Sequence, residues 1–172
     1  MIRGARGSPP SMVDSPDLAR LSKFLVGAKR RTYAAQGDDA SVPPALPESK
    51  QLECAAEDWY YRDVYFGTNP FSGVEVVSRA RRPVWSMSYL GGVERPERAD
   101  RAEVSRIYVF LRAALRQVGE ARPFRGPSLF SAGELTYQDR SVGTLAAFWG
   151  TESIHRRGRR ACHLRYAGGL IE

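Results

Sequence analysis

One short pattern occurs twice in the chain, and it constrains the fold more than any other feature. Residues 71–93 (FSGVEVVSRARRPVWSMSYLGGV) and residues 148–170 (FWGTESIHRRGRRACHLRYAGGL) align without a gap at an offset of 77 positions. Eight of the 23 aligned positions are identical. Each copy has β-branched and aromatic residues on either side of a polar, arginine-rich centre, which is typical of a β-hairpin. The repetition therefore predicts a domain built by internal duplication.

The elements around the two hairpins complete the predicted fold. Ser15 is a suitable N-cap for a helix that carries apolar residues at helical spacing to about residue 35, and Asp100 opens a second helix that Gly119 closes. Residues 57–66 form an aromatic-rich strand, and residues 133–137 form a short one. The order predicts an α+β domain of two αβββ halves, about residues 15–93 and 100–170, related by a pseudo-twofold axis. Its antiparallel sheet or sheets would pack against the two helices.

The chain has 172 residues, which suits a single domain over residues 15–172 behind a disordered tail of residues 1–14. Met12 is an alternative start to Met1. No apolar run approaches the ~18 residues that span a bilayer, and no apolar segment follows the first arginines as in a secretory signal. We therefore expect a cytoplasmic protein that does not insert in a membrane.

The two cysteines and the net charge bear on cofactors and partners. Cys54 and Cys162 have no partners at metal-ligand spacing, so we expect neither a metal nor another cofactor. The net charge of +7 comes from 23 Arg and 3 Lys against 19 acidic residues. Nucleic-acid binding is one interpretation. Against it, residues 1–31 alone hold seven of the cations and only two carboxylates, and a cation-rich run at residues 29–31 suits a helix C-terminus.

The turns of the two hairpins set which side chains share a face. Turns at Ala80-Arg81 and Arg157-Gly158 would place Glu75 opposite Ser86 and Glu152 opposite His163. Both glutamates would then lie on the face away from the helices, each beside a glycine that leaves a shallow recess. The helices would cover the other face, which carries Val74, Val76, Trp85 and Met87. A solvated polar face is the competing interpretation.

The aromatic residues suggest a ligand cleft between the halves, with the glutamates as polar anchors. Glu152 and His163 could also act as an acid/base pair, but no nucleophile motif or phosphate-binding glycine loop accompanies them, and we assign no catalytic residue. The candidate ligand-binding residues are Glu75, Glu152, Trp59, Tyr61, Asp63, Trp85, Tyr89, Tyr166 and His163.

Several runs also resemble an uncharacterised bacterial domain family known only as a domain of unknown function. They are AKRRTYA (28–34), SKQLE (49–53), WYYRDVYFG (59–67), FSGVEVV (71–77), PVWSMSY (83–89), PFRGP (123–127) and YAGG (166–169). The resemblance covers about residues 18–170 and implies a protein found alone or C-terminal to an XRE-type helix-turn-helix, hence a sensing or partner-binding role. Residues 1–14 are too short for such a helix-turn-helix, and His163 stands where the resemblance implies an acidic residue.

We therefore expect a non-enzymatic, sensor-like module that binds an unknown small molecule or protein partner. A small hydrolase or isomerase with a glutamate as general base is one alternative. A DNA-associated regulatory protein is the other, in which the basic hairpin tips contact nucleic acid. The tips carry Arg79, Arg81, Arg82, Arg156, Arg157, Arg159 and Arg160.

Overall fold

A computed structural model describes residues 17–36, 41–95 and 100–171. The predicted disordered tail of residues 1–14 lies outside these ranges. The helices are α1 (Leu18–Arg31), α2 (Tyr33–Gln36) and α3 (Arg101–Leu115). The strands are β1 (Ser41–Val42), β2 (Ser49–Ala56), β3 (Trp59–Phe66), β4 (Phe71–Arg79), β5 (Arg82–Val93), β6 (Leu129–Ala132), β7 (Leu135–Thr144), β8 (Ala147–Arg156) and β9 (Arg159–Leu170).

The nine strands within the described residues belong to one antiparallel sheet, in the order β1-β2-β3-β4-β5-β9-β8-β7-β6. The two long hairpins meet in its centre, where β5 pairs with β9 and Tyr89 lies opposite Tyr166. Helix α1 packs on β2 and β3, and α3 packs on β7, both on the same side of the sheet. We call this helix-covered side the inner face and the opposite side the outer face.

The predicted fold class was wrong in its layout, although the mixed α+β composition is confirmed. Instead of two αβββ halves about a pseudo-twofold, the chain forms a single continuous sheet that includes both hairpins. The prediction left out β1, β2 and β6, and it made β7 half its true length. Strand β2 has the sequence SKQLECAA, which lacks the β-branched and aromatic residues that signal a strand.

The helix starts follow from their capping residues. Asp17 caps α1, since its carboxylate accepts hydrogen bonds from the backbone N–H groups of Ala19 and Arg20. The predicted cap, Ser15, lies outside the described residues. Asp100 caps α3 as predicted, accepting from the N–H of Ala102 at 2.8 Å. Helix α3 ends at Leu115, one turn before the predicted Gly119.

Both hairpin turns lie where the sequence predicts them, but the strand register beyond the turns differs from the predicted register. Arg79 pairs with Arg82 and Arg156 with Arg159, so each turn has two residues. A β-bulge then shifts the register by one residue in each hairpin, between Val77 and Ser78 and between Ile154 and His155. Since successive side chains of a strand point to opposite faces, one extra residue changes which residues of the two paired strands share a face beyond the bulge.

The correction moves both glutamates to the inner face. Glu75 lies opposite Met87 rather than Ser86, and Glu152 lies opposite Leu164 rather than His163. They are 2% and 3% exposed, respectively. Trp85 and Met87 do face the helices as predicted. Val74 and Val76, predicted to join them, alternate with Glu75 and Val77 and lie on the outer face.

Candidate functional site

A cavity of about 270 Å³ opens on the inner face, between α1, α3 and strands β3–β5. Its walls are largely aromatic and aliphatic, from Tyr33, Tyr65, Phe71, Tyr108, Leu111, Leu115 and Phe124. Its polar groups come from Lys29, Thr32, Lys50, Asp63, Thr68, Glu75, Tyr89, Arg112 and Arg125. A concave apolar site with a few convergent polar groups is the usual form of a small-molecule pocket.

Lys29 and Glu75 form a buried ion pair beside the cavity. The Lys29 ammonium donates to Oε2 of Glu75, and both side chains are almost inaccessible to solvent. The ammonium also lies 5.9 Å from the centre of the Trp85 ring. Burial lowers the pKa of Lys29, while the charge of Glu75 opposes that shift. This ion pair fixes α1 to β4.

Arg125 forms the second buried ion pair. Its guanidinium donates to both carboxylate oxygens of Glu152, at 3.0 and 3.2 Å, and lies 4.0 Å from Glu75. Burial opposes the charged form of Arg125, but the charge and hydrogen bonds of Glu152 raise its pKa well above the usual value. Tyr137 also donates to Glu152 at 2.8 Å, and its hydroxyl oxygen accepts from the N–H of Gly126. The connector between α3 and β6 is thereby held against β8.

Asp63 differs from these glutamates because no described Lys or Arg forms an ion pair with it. It lies beside Glu75 on the neighbouring strand and accepts a 2.7 Å hydrogen bond from the Tyr89 hydroxyl. Among the described residues, no Lys or Arg lies within ion-pair distance of its carboxylate. Burial, followed by the charge of Glu75, raises the pKa of Asp63 to about 7. A carboxyl group that titrates near neutrality therefore lines the cavity.

A related arrangement lies across the sheet, outside the cavity. Tyr166 donates to Asp139 at 2.8 Å, and Asp139 is the direct neighbour of Glu152. Here Arg122 supplies a cation, donating to Asp139 at 2.5 Å. Burial and the charge of Glu152 raise the pKa of Asp139 to about 6. Asp139 is thus an ion-paired structural group, whereas Asp63 is not.

Two glycines make room for the tyrosines that reach these aspartates. A Cβ atom on Gly73 would lie 2.5 Å from the Tyr89 hydroxyl oxygen and 2.6 Å from the Tyr65 Cβ. One on Gly150 would overlap the Tyr166 ring. The predicted recesses beside the glutamates therefore exist on the inner face, where the tyrosine side chains fill them.

The structure brings some of the sequence-predicted site residues together and separates others. Asp63, Glu75 and Tyr89 line the cavity, and Glu152 is joined to it through Arg125. His163 lies on the outer face with its side chain 45% exposed, 3.0 Å from Glu94, so the predicted pair with Glu152 does not form. The other four pack in the apolar core and do not line the cavity: Trp59, Tyr61, Trp85 and Tyr166.

The two buried cations of the site, Lys29 and Arg125, were not among the predicted residues. Lys29 follows Leu25 by four positions, so its place on the apolar stripe of α1 was a signal in the sequence. Arg125 is the one charged residue in the run PFRGP of a rigid connector, and nothing local indicates that it is 8% exposed and paired. Its partner lies 27 residues away.

The described residues give little support for a metal site, a reactive thiol or a membrane-spanning helix. No group of three His, Cys, Asp or Glu side chains there could hold a metal ion. Burial raises the pKa of the Cys162 thiol far above its usual value, which leaves no reactive thiolate at that position. In the part of the chain that the structure describes, no helix has the length and hydropathy to cross a bilayer.

Comparison with family models gives a match over more than half of the chain. A family model described as a domain of unknown function, DUF5680, matches residues 63–171, which include Asp63, Glu75, Arg125 and Glu152 but not Lys29. No curated protein and no solved structure matches the chain.

Proposed function

The chain belongs to the DUF5680 family of domains of unknown function, so we propose its function from the site alone. The protein is a binding module that holds a small organic molecule in the inner-face cavity. The observation that carries this proposal is Asp63, a buried carboxylate in an aromatic-lined cavity that pairs with no cation of the described residues. A volume of about 270 Å³ is just below the ~300–1,000 Å³ of typical drug-sized pockets, so the ligand is small.

The charges of the cavity favour a ligand with a cationic nitrogen. Lys29 and Arg125 are already compensated by Glu75 and Glu152, and among the described residues neither Asp63 nor Arg112 has an ion-pair partner. Asp63 is buried whereas Arg112 is partly exposed, so the missing counter-charge costs more at the Asp63 carboxylate. An ammonium group next to Asp63 would supply it and would favour the ionised carboxylate. The aromatic walls suit such a ligand, because ring faces attract cations and pack against an apolar body. Phe71 contacts both Tyr89 and Tyr108 edge to face, which holds these rings in place.

A matched set of three fragments tests the proposal. Phenethylamine, 2-phenylethanol and 3-phenylpropionate share a phenyl body and differ in the polar end. Ligand-observed NMR titrations at pH 8 should show the amine binding at least about tenfold tighter than the alcohol, as expected for one desolvated charge pair. Asp63→Asn should remove that advantage, while Asp58→Asn, at the turn before β3, should keep it. Tightest binding by the propionate, lost in Arg112→Gln, would mean that the ligand is an acid.

The pH dependence of binding gives a second signature. Below the pKa of about 7, Asp63 is protonated and offers no charge to an amine. The affinity for phenethylamine should therefore fall as the pH is lowered from 8 to 5, approaching tenfold per unit below the pKa. An affinity that is constant over this range, or that rises toward pH 5, contradicts the role proposed for Asp63.

A second candidate function is catalysis with Asp63 as general base. Its pKa of about 7 lies near the operating pH at which a base is most effective, and it lines a cavity. This version of the enzyme hypothesis uses Asp63 rather than a glutamate. Turnover of an activated ester such as p-nitrophenyl acetate, above background in the natural chain and absent in Asp63→Asn, would favour the enzyme over the binding module.

The setting of the protein belongs to the same proposal. Cys54 and Cys162 are both free, which suits a reducing compartment such as the bacterial cytoplasm. A sensing role beside a separate XRE-type helix-turn-helix is consistent with a ligand cavity of this kind. Direct DNA contact is less favoured, because Arg79, Arg156 and Arg157 are engaged by carboxylates at the hairpin tips.

A further inference from the structure

The outer face of the sheet carries two side-by-side rows of residues that cross six neighbouring strands, β3-β4-β5-β9-β8-β7. The pairing of the strands defines both rows. The apolar row consists of Val64, Val74, Ser88, Ala167, Trp149 and Val142. The flanking row consists of Phe66, Ser72, Leu90, Arg165, Thr151 and Arg140. Both rows lie on the side of the sheet away from α1 and α3.

Most of the large apolar side chains of these rows are exposed to solvent, whereas Val64 is buried. Trp149 is 57% exposed, Leu90 59% and Val142 56%. An open groove of about 890 Å³ runs along this region. The solvated face of an antiparallel sheet normally carries polar residues, so a row there in which five of the six residues are apolar indicates an interaction surface.

The charged residues of the two rows have one sign. The acidic residues of the six strands are Asp63, Glu75, Asp139 and Glu152, and all four are buried on the inner face. Arg140 and Arg165 are exposed on the outer face, and no carboxylate of the described residues pairs with either of them. A partner that covers the apolar row would therefore gain from acidic groups next to these two arginines.

We propose that the outer face docks an amphipathic α-helix of a partner protein, with an apolar stripe on the apolar row and acidic residues beside Arg140 and Arg165. Five strand spacings of ~4.8 Å make the rows ~24 Å long, which a helix of ~16 residues spans at 1.5 Å per residue. The arginines lie two strands apart, ~10 Å, which corresponds to acidic positions about seven residues apart in that helix.

Other occupants fit these observations less well. A second copy of this chain would bring arginines against arginines, since its outer face offers no carboxylate in these strands. Single-stranded nucleic acid requires aromatic rings for successive bases to stack on. The two aromatic residues of the rows, Phe66 and Trp149, are four strands apart, and no aromatic residue of either row lies between them.

Three synthetic helical peptides of 16 residues test the proposal. They share one leucine stripe and carry Glu, Gln or Lys at the two flank positions seven residues apart. Fluorescence anisotropy of labelled peptides against the full chain should give affinities in the order Glu, Gln, Lys, with at least about fivefold between the first and the last, and a smaller ratio at 0.5 M salt. A fluorescent (dT)12 oligonucleotide serves as the nucleic-acid arm.

Surface variants distinguish peptide binding at the outer face from non-specific attraction to the net charge of the protein. Trp149→Ser should weaken all three peptides at least about fivefold. Arg140→Glu/Arg165→Glu should reverse the order so that the Lys peptide binds best. Arg81→Glu/Arg82→Glu, at an exposed hairpin tip, changes the net charge equally and should leave the order unchanged. Equal binding of the three peptides, no saturable binding, or an order that Arg140→Glu/Arg165→Glu does not change would overturn the proposal. So would tighter binding of the oligonucleotide than of the Glu peptide.

Discussion

Asp63 is the residue whose surroundings are least typical of a structural core. Buried carboxylates are costly unless a cation or several hydrogen bonds stabilise their charge. Glu75, Glu152 and Asp139 each have a Lys or Arg at ion-pair distance. Asp63 has the Tyr89 hydroxyl, and its charge is further opposed by Glu75 on the next strand. The protein thus retains an unfavourable group at the wall of its cavity, as functional sites often do.

The raised pKa of Asp63 predicts how its removal changes stability with pH. A carboxyl group whose folded pKa exceeds its unfolded value of 3.8 favours the folded state below pH 4, and that contribution is lost as the pH rises through about 7. The free energy of unfolding of Asp63→Asn should therefore exceed that of the natural chain by more at pH 8 than at pH 5. This excess should grow by on the order of 2 kcal/mol between the two pH values.

Urea denaturation at pH 5, 6, 7 and 8 measures this difference. Asp139 has a pKa raised in the same direction but keeps it in both proteins, so it cancels in the comparison. Asp58→Asn should follow the natural chain at each pH. If the stability of Asp63→Asn runs parallel to that of the natural chain between pH 5 and 8, the carboxyl does not titrate in this range.

At the scale of the secondary-structure elements, two β-bulges decide which residues form the site. The turn at Arg157-Gly158 could be predicted from its glycine, and the alignment of the two copies gives the matching turn at Ala80-Arg81. The bulges just beyond them could not be predicted, because Val77-Ser78 and Ile154-His155 have no distinctive composition. The sequence was thus sufficient to select Glu75 and Glu152 as candidates and insufficient to place them on the correct face.

The close packing of tyrosines over glycines gives a prediction for the strands. Gly73→Ala and Gly150→Ala would each force a methyl group into the tyrosine that crosses that glycine, and each should lower the free energy of unfolding by about 1–3 kcal/mol. Gly119→Ala is the matched control, since nothing lies within 4 Å of the added methyl group. Thermal unfolding followed by circular dichroism compares the three variants. Losses at Gly73 and Gly150 no larger than at Gly119 would contradict the packing of Tyr89 and Tyr166.

At the scale of the whole molecule, local sequence patterns predict the positions of the helices better than the pairing of the strands. Asp100 could be identified as the cap of α3 because capping involves residues close in sequence. The pairing of β5 with β9 joins strands more than 60 residues apart, and β2 lacks strand-forming residues, so neither could be predicted. The closure of the site depends on similar long-range contacts, such as Lys29 with Glu75.

The described strands of the molecule form one sheet with two different faces. The inner face gathers the buried charges and the cavity beneath α1 and α3, and the outer face exposes an apolar row and two arginines. A small ligand inside and a protein partner outside would contact opposite sides of the same strands. The strands β3, β4 and β5 belong to both sites, so they are the elements through which one could influence the other.

Native mass spectrometry of the chain purified from its host at pH 8 tests the central claim most directly. We expect the natural chain and Asp58→Asn to carry one small basic organic molecule each, which is released on denaturation, and Asp63→Asn to carry none. A natural chain without any bound molecule, or an adduct of equal mass and occupancy on Asp63→Asn, would contradict the assignment of the cavity as a ligand site anchored by Asp63.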